Sequence, residues 1–181
     1  MPFLIAALAL VGALCLLDLV LTVGVVKRLR EHTALLAEVV PPSPAVTVGQ
    51  KIGPFEATTV TGEPVTTDRL GSGTLVGFFS PTCGPCKDKL PKFVAHVRGL
   101  PAGQERPLAV VIGDAEQAGD FLAELGPVAR VVVERGDGAV SSAFGVRAYP
   151  TLLRVDRDDA GRLVVAANRV EVDRPAPVAV G

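Results

Sequence analysis

Tryptophan is absent from this 181-residue chain, and tyrosine and methionine occur once each. Histidine is scarce, with only His32 and His96, and cysteine occurs three times, at Cys15, Cys83 and Cys86. A structural zinc site needs about four ligands, and a chain with one close cysteine pair and two scattered histidines does not supply them. An excess of charge is missing too: 18 basic and 19 acidic residues give a net charge of −1. Binding to a phosphate backbone draws on surplus Lys and Arg, so a basic nucleic-acid binder is excluded. Disorder requires low hydrophobicity with high net charge, whereas 49% of these residues are hydrophobic. The length fits one ordinary domain with an appendage, and no internal repeat is visible.

What is abundant is apolar sequence near the start, and it lifts the mean hydropathy to +0.42. Phe3 to Val26 holds one charge, Asp18. At 1.5 Å per residue such a helix reaches about 36 Å, enough to cross a hydrocarbon core of about 30 Å. A cleaved signal peptide would start with basic residues and carry a shorter apolar stretch; Met1-Pro2-Phe3 has no basic side chain. Leu14 before Cys15 is too large for a lipoprotein cleavage site. The expectation is an uncleaved single-pass anchor over residues 1–26, with Cys15 as a small apolar residue in it and Asp18 as a tolerated carboxyl. Residues 27–45 form a basic helical stem, with Lys27, Arg28 and Arg30, followed by the stiff spacer Pro41-Pro42-Ser43-Pro44.

Residues 46–170 read as one α/β domain and residues 171–181 as an irregular tail. Phe55 to Leu70 predicts a hairpin turning at Thr61-Gly62-Glu63. Thr74–Phe79, Leu108–Ile112 and Val128–Val133 are short apolar runs suited to buried parallel strands. Between them lie two helices: one from Cys83 to about Leu100, bent at Pro91, and one over Ala115–Leu125, opened by Asp114 as N-cap. A short helix over Ala139–Phe144 and a hairpin of Thr151–Val155 with Leu163–Ala167 complete the domain. This alternation predicts a central mixed sheet with helices on both faces.

Cys83-Gly84-Pro85-Cys86 follows a buried strand and opens a helix. Unpaired N–H groups and the dipole at a helix start stabilise negative charge, so the first sulfur of such a pair is suited to attack disulfides. The second, one turn in, is placed to resolve the mixed disulfide. Other uses of the pair fit less well. Copper delivery calls for a wider cysteine spacing and a nearby His. A peroxidatic cysteine calls for Pro seven residues before it, where Val76 stands, although Ser80 fits the position three residues before. A purely structural disulfide at a helix start is uncommon.

Cys83-Gly84-Pro85-Cys86 with Lys87 and Pro91 resembles the thioredoxin active-site helix, and Phe144 to Leu153 resembles the thioredoxin segment that carries the cis-proline. The resemblance implies that Pro150 is cis and that Tyr149, Pro150 and Thr151 present backbone to a substrate chain. It also implies that Cys83 is the nucleophile, that Cys86 resolves, and that Gly84 and Pro85 shape the turn and tune the redox poise. The extra helix and strand from Asp114 to Val133, with the leading hairpin and the anchor, resemble the membrane-bound thioredoxin-like branch that serves extracytoplasmic protein maturation. Phe78 to Lys87 with Leu90-Pro91 is most similar to the methylamine-utilisation thioredoxin-like proteins.

Three departures stand out. Thr82 replaces the Trp of thioredoxins, Gly77 replaces their buried Asp, and no terminal helix follows Val170. The proton acceptor for Cys86 is therefore open, with Lys89 or a water, and Glu56 and Asp88, as candidates. The resemblance implies a thiol–disulfide oxidoreductase with no metal or organic cofactor. Its partners would be client polypeptides with disulfides or thiols, a membrane redox partner and the lipid bilayer. The Gly-Pro pair between the cysteines resembles the reducing members. Lys27, Arg28 and Arg30 argue for a cytoplasmic domain, whereas disulfide traffic argues for one outside the cytoplasmic membrane; the second is the expectation. A non-catalytic assembly chaperone and a thiol peroxidase are the rival readings.

Overall fold

The computed structural model describes residues 46–101 and 103–172, together with Gly12, residues 14–16, Asp18, Leu21 and Gly24. The chain divides into two compact units, Met1–Ser43 and Pro44–Gly181. In the first, the described residues are helical and exposed. Among the described residues no helix is long and apolar enough to cross a membrane. Most of the apolar run from Phe3 to Val26, and the basic stem with its proline spacer, lie outside the described residues.

The second unit is built on a five-stranded sheet in the order β5-β4-β3-β6-β7. β3 (Leu75–Phe79) and β4 (Leu108–Ile112) are buried at every residue, as strands covered on both faces must be. β3 pairs parallel with β4, and β4 parallel with β5 (Arg130–Glu134). β6 (Thr151–Arg157) runs antiparallel to β3, and β7 (Leu163–Ala167) antiparallel to β6. The mixed α/β sheet expected from the sequence is thus present. β1 (Glu56–Thr58) and β2 (Pro64–Thr66) form the separate leading hairpin.

Alternation along each strand divides the core in two. Leu75 and Phe79 of β3 face α1 (Gly84–Arg98) and α2 (Gly119–Leu125). Val76 and Phe78 face the hairpin and α3 (Ala139–Phe144). The segment after Val46 covers both sheet edges. Along β7, Gly49 N–H donates to Val165 O at 2.8 Å and Ile52 N–H to Leu163 O at 3.0 Å. At the other edge, Val60 N–H donates to Val131 O at 2.9 Å. Covered edges remove the unpaired ladder groups that invite sheet-to-sheet association.

Two expectations need correction. α2 starts at Gly119, four residues later than the sequence suggests, and Asp114 does not cap it. The carbonyl oxygen of Asp114, not its carboxylate, accepts N–H groups from Gln117 and Ala118 at 3.1 Å each. Its carboxylate lies 4.0 Å from Arg135 Nε. β5 begins at Arg130 rather than Val128, because Val128 and Ala129 still donate N–H groups to Leu125 O at the end of α2. Beyond β7 the described residues hold no helix, and Val172 is buried against the α1 and α2 side.

Candidate active site

β3 ends at Phe79, and the turn Ser80-Pro81-Thr82 delivers the chain to Cys83, the N-cap of α1. Ser80 O accepts Cys83 N–H at 3.1 Å, which closes that turn. Pro85 sits in the first turn of α1, where a missing N–H costs nothing. Gly84 and Pro85 are exposed, and Cys83 is half-buried. Cys86, one turn further on, is fully buried among Leu90, Phe93 and Phe79. Both cysteines are free thiols. Cys86 Sγ accepts the Ser80 N–H at 3.3 Å. Burial pushes the Cys86 thiol from its ordinary 9.0 up to about 12; the Ser80 N–H opposes that rise, and the adjoining Cys83 adds to it.

The second half of the site comes from the far side of the sheet. The Tyr149–Pro150 peptide bond is cis, the isomer implied by the resemblance. Cys83 Sγ donates to Tyr149 O at 3.4 Å. Thr151 opens β6 beside Phe78 of β3, and its hydroxyl donates to Ala148 O at 2.7 Å. The Tyr149 ring packs against both halves of the core. Burial pushes its phenol pKa upward, opposed by the Ser141 hydroxyl and reinforced by the charges of Glu134 and Cys86.

The structure therefore brings together Cys83, Cys86 and the Tyr149–Thr151 segment. The candidate proton acceptors are placed less favourably. Asp88 is exposed two positions beyond Cys86, on another face of α1. Glu56 is exposed on β1. Lys89 is half-buried at the i+3 position from Cys86, the one candidate on a neighbouring helix position. At Gly77, a Cβ would lie 2.7 Å from the Phe79 ring and 3.2 Å from a Leu152 methyl. The space that a carboxylate would need at this position is filled by the aromatic ring.

Sequence reasoning missed the Ser80 N–H, whose role follows only from the turn that folds β3 back on α1. It also missed Glu134 and Gln50, which bond to the backbone of α3, and Ser141, whose carbonyl accepts the Val146 N–H ahead of the cis-proline loop. Among the described residues no group of three or more His, Cys, Asp or Glu side chains is placed to hold a metal ion.

A dithiol at the start of a helix, after a central parallel strand and opposite a cis-proline loop, is the thioredoxin-like oxidoreductase arrangement. The chain belongs to the Redoxin family, which matches residues 46–179. Among solved structures it is similar to a candidate thiol:disulfide interchange protein DsbE from Chlorobium tepidum, at 25% identity and a TM-score of 0.52, over 66% of this chain and 83% of that one. A thiol:disulfide interchange protein from Bacteroides sp. shares the fold at 16% identity and a TM-score of 0.55, over 71% and 85% of the two chains. So does a secreted Mycobacterium tuberculosis disulfide oxidoreductase, at 18% identity and a TM-score of 0.51, over 66% and 89%. No curated protein matches the sequence.

Proposed function

We propose that this chain is a membrane-tethered thiol–disulfide oxidoreductase that reduces disulfides of client proteins outside the cytoplasmic membrane. The observation that supports it best is the pairing of a half-buried Cys83, 3.4 Å from the Tyr149 carbonyl, with a fully buried Cys86 one turn behind it. In the reaction, Cys83 Sγ attacks one sulfur of the client disulfide. The client S–S bond breaks, a Cys83–client bond forms, and the first client thiol departs with a proton. Cys86 then attacks Cys83 Sγ, which releases the second client thiol and leaves a Cys83–Cys86 disulfide. Two electrons from a dithiol partner in the membrane return the pair to thiols. Pro150 and its neighbours hold the client backbone, and Gly84 and Pro85 set the turn that spaces the sulfurs.

The tether rests on the Phe3 to Val26 run, which is long enough to span a bilayer. Extracytoplasmic maturation rests on the resemblance to membrane-bound thioredoxin-like proteins, including those of methylamine utilisation, and the reducing direction on the Gly84-Pro85 pair.

The test uses insulin as the disulfide substrate. Cys83→Ser is expected to lose at least about a thousandfold in reduction rate, since it removes the attacking atom. Cys86→Ala is expected to accumulate a mixed disulfide with the client. Full activity in Cys83→Ser would overturn the reading, and biological function retained in the double cysteine variant would point to a chaperone. A carboxy-terminal alkaline phosphatase fusion, active only outside the cytoplasm, tests the location.

A further inference from the structure

α3 is six residues long, and side chains from outside it hold it at both ends. At its start, Glu134 Oε2 accepts the Val140 N–H at 3.0 Å and Glu134 Oε1 accepts the Ser141 N–H at 2.7 Å. One carboxylate thus takes two N–H groups that a helix start leaves unpaired. Gly138 permits this geometry, because a Cβ there would collide with the Glu134 carboxylate. At the other end, Gln50 Nε2 donates to Phe144 O at 3.0 Å, and Gly53 N–H donates to Ala143 O at 3.1 Å.

The chain leaving α3 leads directly to the dithiol. Gly145 takes the left-handed conformation, and Val146 N–H donates back to Ser141 O at 3.0 Å. Ser141 is therefore held by Glu134 through its N–H and holds Val146 through its carbonyl. Three residues beyond Val146 stands Tyr149, whose own carbonyl accepts from Cys83 Sγ. The Tyr149 ring returns towards the same strand end: its hydroxyl lies 3.9 Å from the Cβ position of Gly136, two residues after Glu134.

We propose that Glu134 is a positioning residue for client binding. Its carboxylate fixes the start of α3, α3 fixes the loop from Val146 to Pro150, and that loop sets the backbone on which an extended client chain is held against Cys83. Glu134 acts through the main chain and touches neither sulfur. Gln50 serves the same helix from its other end. The inference rests on the oxidoreductase reading above and adds which residues decide affinity for polypeptide, as distinct from reactivity towards disulfides in general.

The experiment compares two substrates on the full chain in detergent: insulin, which needs the loop, and glutathione disulfide, which offers little backbone. Replacing Glu134 by Gln leaves one acceptor where two N–H groups need partners. For Glu134→Gln, kcat/KM for insulin is expected to fall about tenfold relative to kcat/KM for glutathione disulfide, with the loss in KM rather than kcat. Gly138→Ala, which displaces the same carboxylate, is expected to reproduce the effect. Gln50→Leu is expected to give a smaller shift in the same direction, and serves if the other two variants fold poorly. Equal losses on both substrates, or a loss confined to kcat, would overturn the proposal while leaving the oxidoreductase reading intact. A wild-type chain inactive on both substrates would instead overturn that reading, and this inference with it.

Discussion

On one face of the central sheet, Phe79 packs edge-on against Phe93 with ring centres 5.2 Å apart and tilts against Phe121 at 6.3 Å. On the other, Phe144 meets Phe78 at 5.3 Å and Phe55 at 5.8 Å. The two half-cores use the same aromatic residue and similar geometry, yet they support different parts of the site. The first buries Cys86 and carries the helix that opens at Cys83. The second anchors α3 and, through it, the loop to Tyr149 and Pro150. Thiol chemistry is assembled from one contiguous stretch, Ser80 to Leu90. The loop that we propose holds the client is supported instead by Gln50, Glu134 and Ser141, through bonds to and from α3 that span up to 94 positions. Tyr149 packs against both half-cores, so it is where the two tasks meet.

Removing an aromatic ring from each side tests this division most severely. Phe144→Ala and Phe93→Ala should each cost about 3–5 kcal/mol, because both rings are fully buried. Urea denaturation measures that loss. Where both variants are still folded, they should differ in the site. Phe144→Ala should weaken insulin reduction more than it slows alkylation of Cys83 by iodoacetamide, measured with Cys15 changed to Ser. Phe93→Ala should shift the balance towards the thiols. Equal effects of the two variants on both readouts would break the comparison.

A glycine pair gives a smaller but sharper contrast. Gly77→Asp forces a carboxylate against the Phe79 ring and a Leu152 methyl in a buried strand, at a cost of about 3 kcal/mol from overpacking and desolvation together. Gly53→Ala, across the sheet, meets Ala143 Cα only at 3.7 Å, an ordinary contact, and should change stability by less than about 0.5 kcal/mol. A well-folded Gly77→Asp protein that releases client from the Cys83 mixed disulfide faster than wild type would show that a carboxylate fits at this position after all.

The same division explains what could be read from the sequence. β4 was legible because five apolar residues in a row, bounded by Pro107 and Gly113, have little alternative to a buried strand. α3 was legible because its stop signal, Gly145, is local. Cys83, Cys86 and Pro150 stood out because their motifs are contiguous, and the structure places them in one site. The start of α2 was misread because Asp114 can satisfy the following N–H groups with its carbonyl as well as with its side chain, and sequence does not distinguish the two. Glu134 carried no signal at all. A single acid at a strand end is ordinary, and its importance follows from Gly138, which admits it, and from the two N–H groups it meets.

A last contrast concerns the buried thiol of Cys86 and its response to pH. Burial favours the neutral thiol of Cys86, so the folded chain keeps that proton up to about 12, whereas an unfolded chain releases it near the ordinary 9.0. Below pH 9 both states hold the proton and the contribution to stability is complete. Between 9 and about 12 the folded state binds more protons than the unfolded one, so stability must fall as pH rises. One proton corresponds to a slope of at most about 1.4 kcal/mol per pH unit. Tyr149, whose phenol is also pushed upward by burial, adds a slope of the same sign at alkaline pH. The measurement is therefore differential. Urea denaturation of the reduced protein at pH 8 to 11 should show a steeper decline in wild type and in Tyr149→Phe than in the corresponding Cys86→Ala chains. Alkylation should follow the same order, with Cys83 modified at neutral pH while Cys86 stays unmodified. Identical pH slopes with and without Cys86 would mean that its sulfur is not held as a buried thiol. The contrast between the half-core that buries Cys86 and the one that anchors α3 would then lose its clearest electrostatic mark.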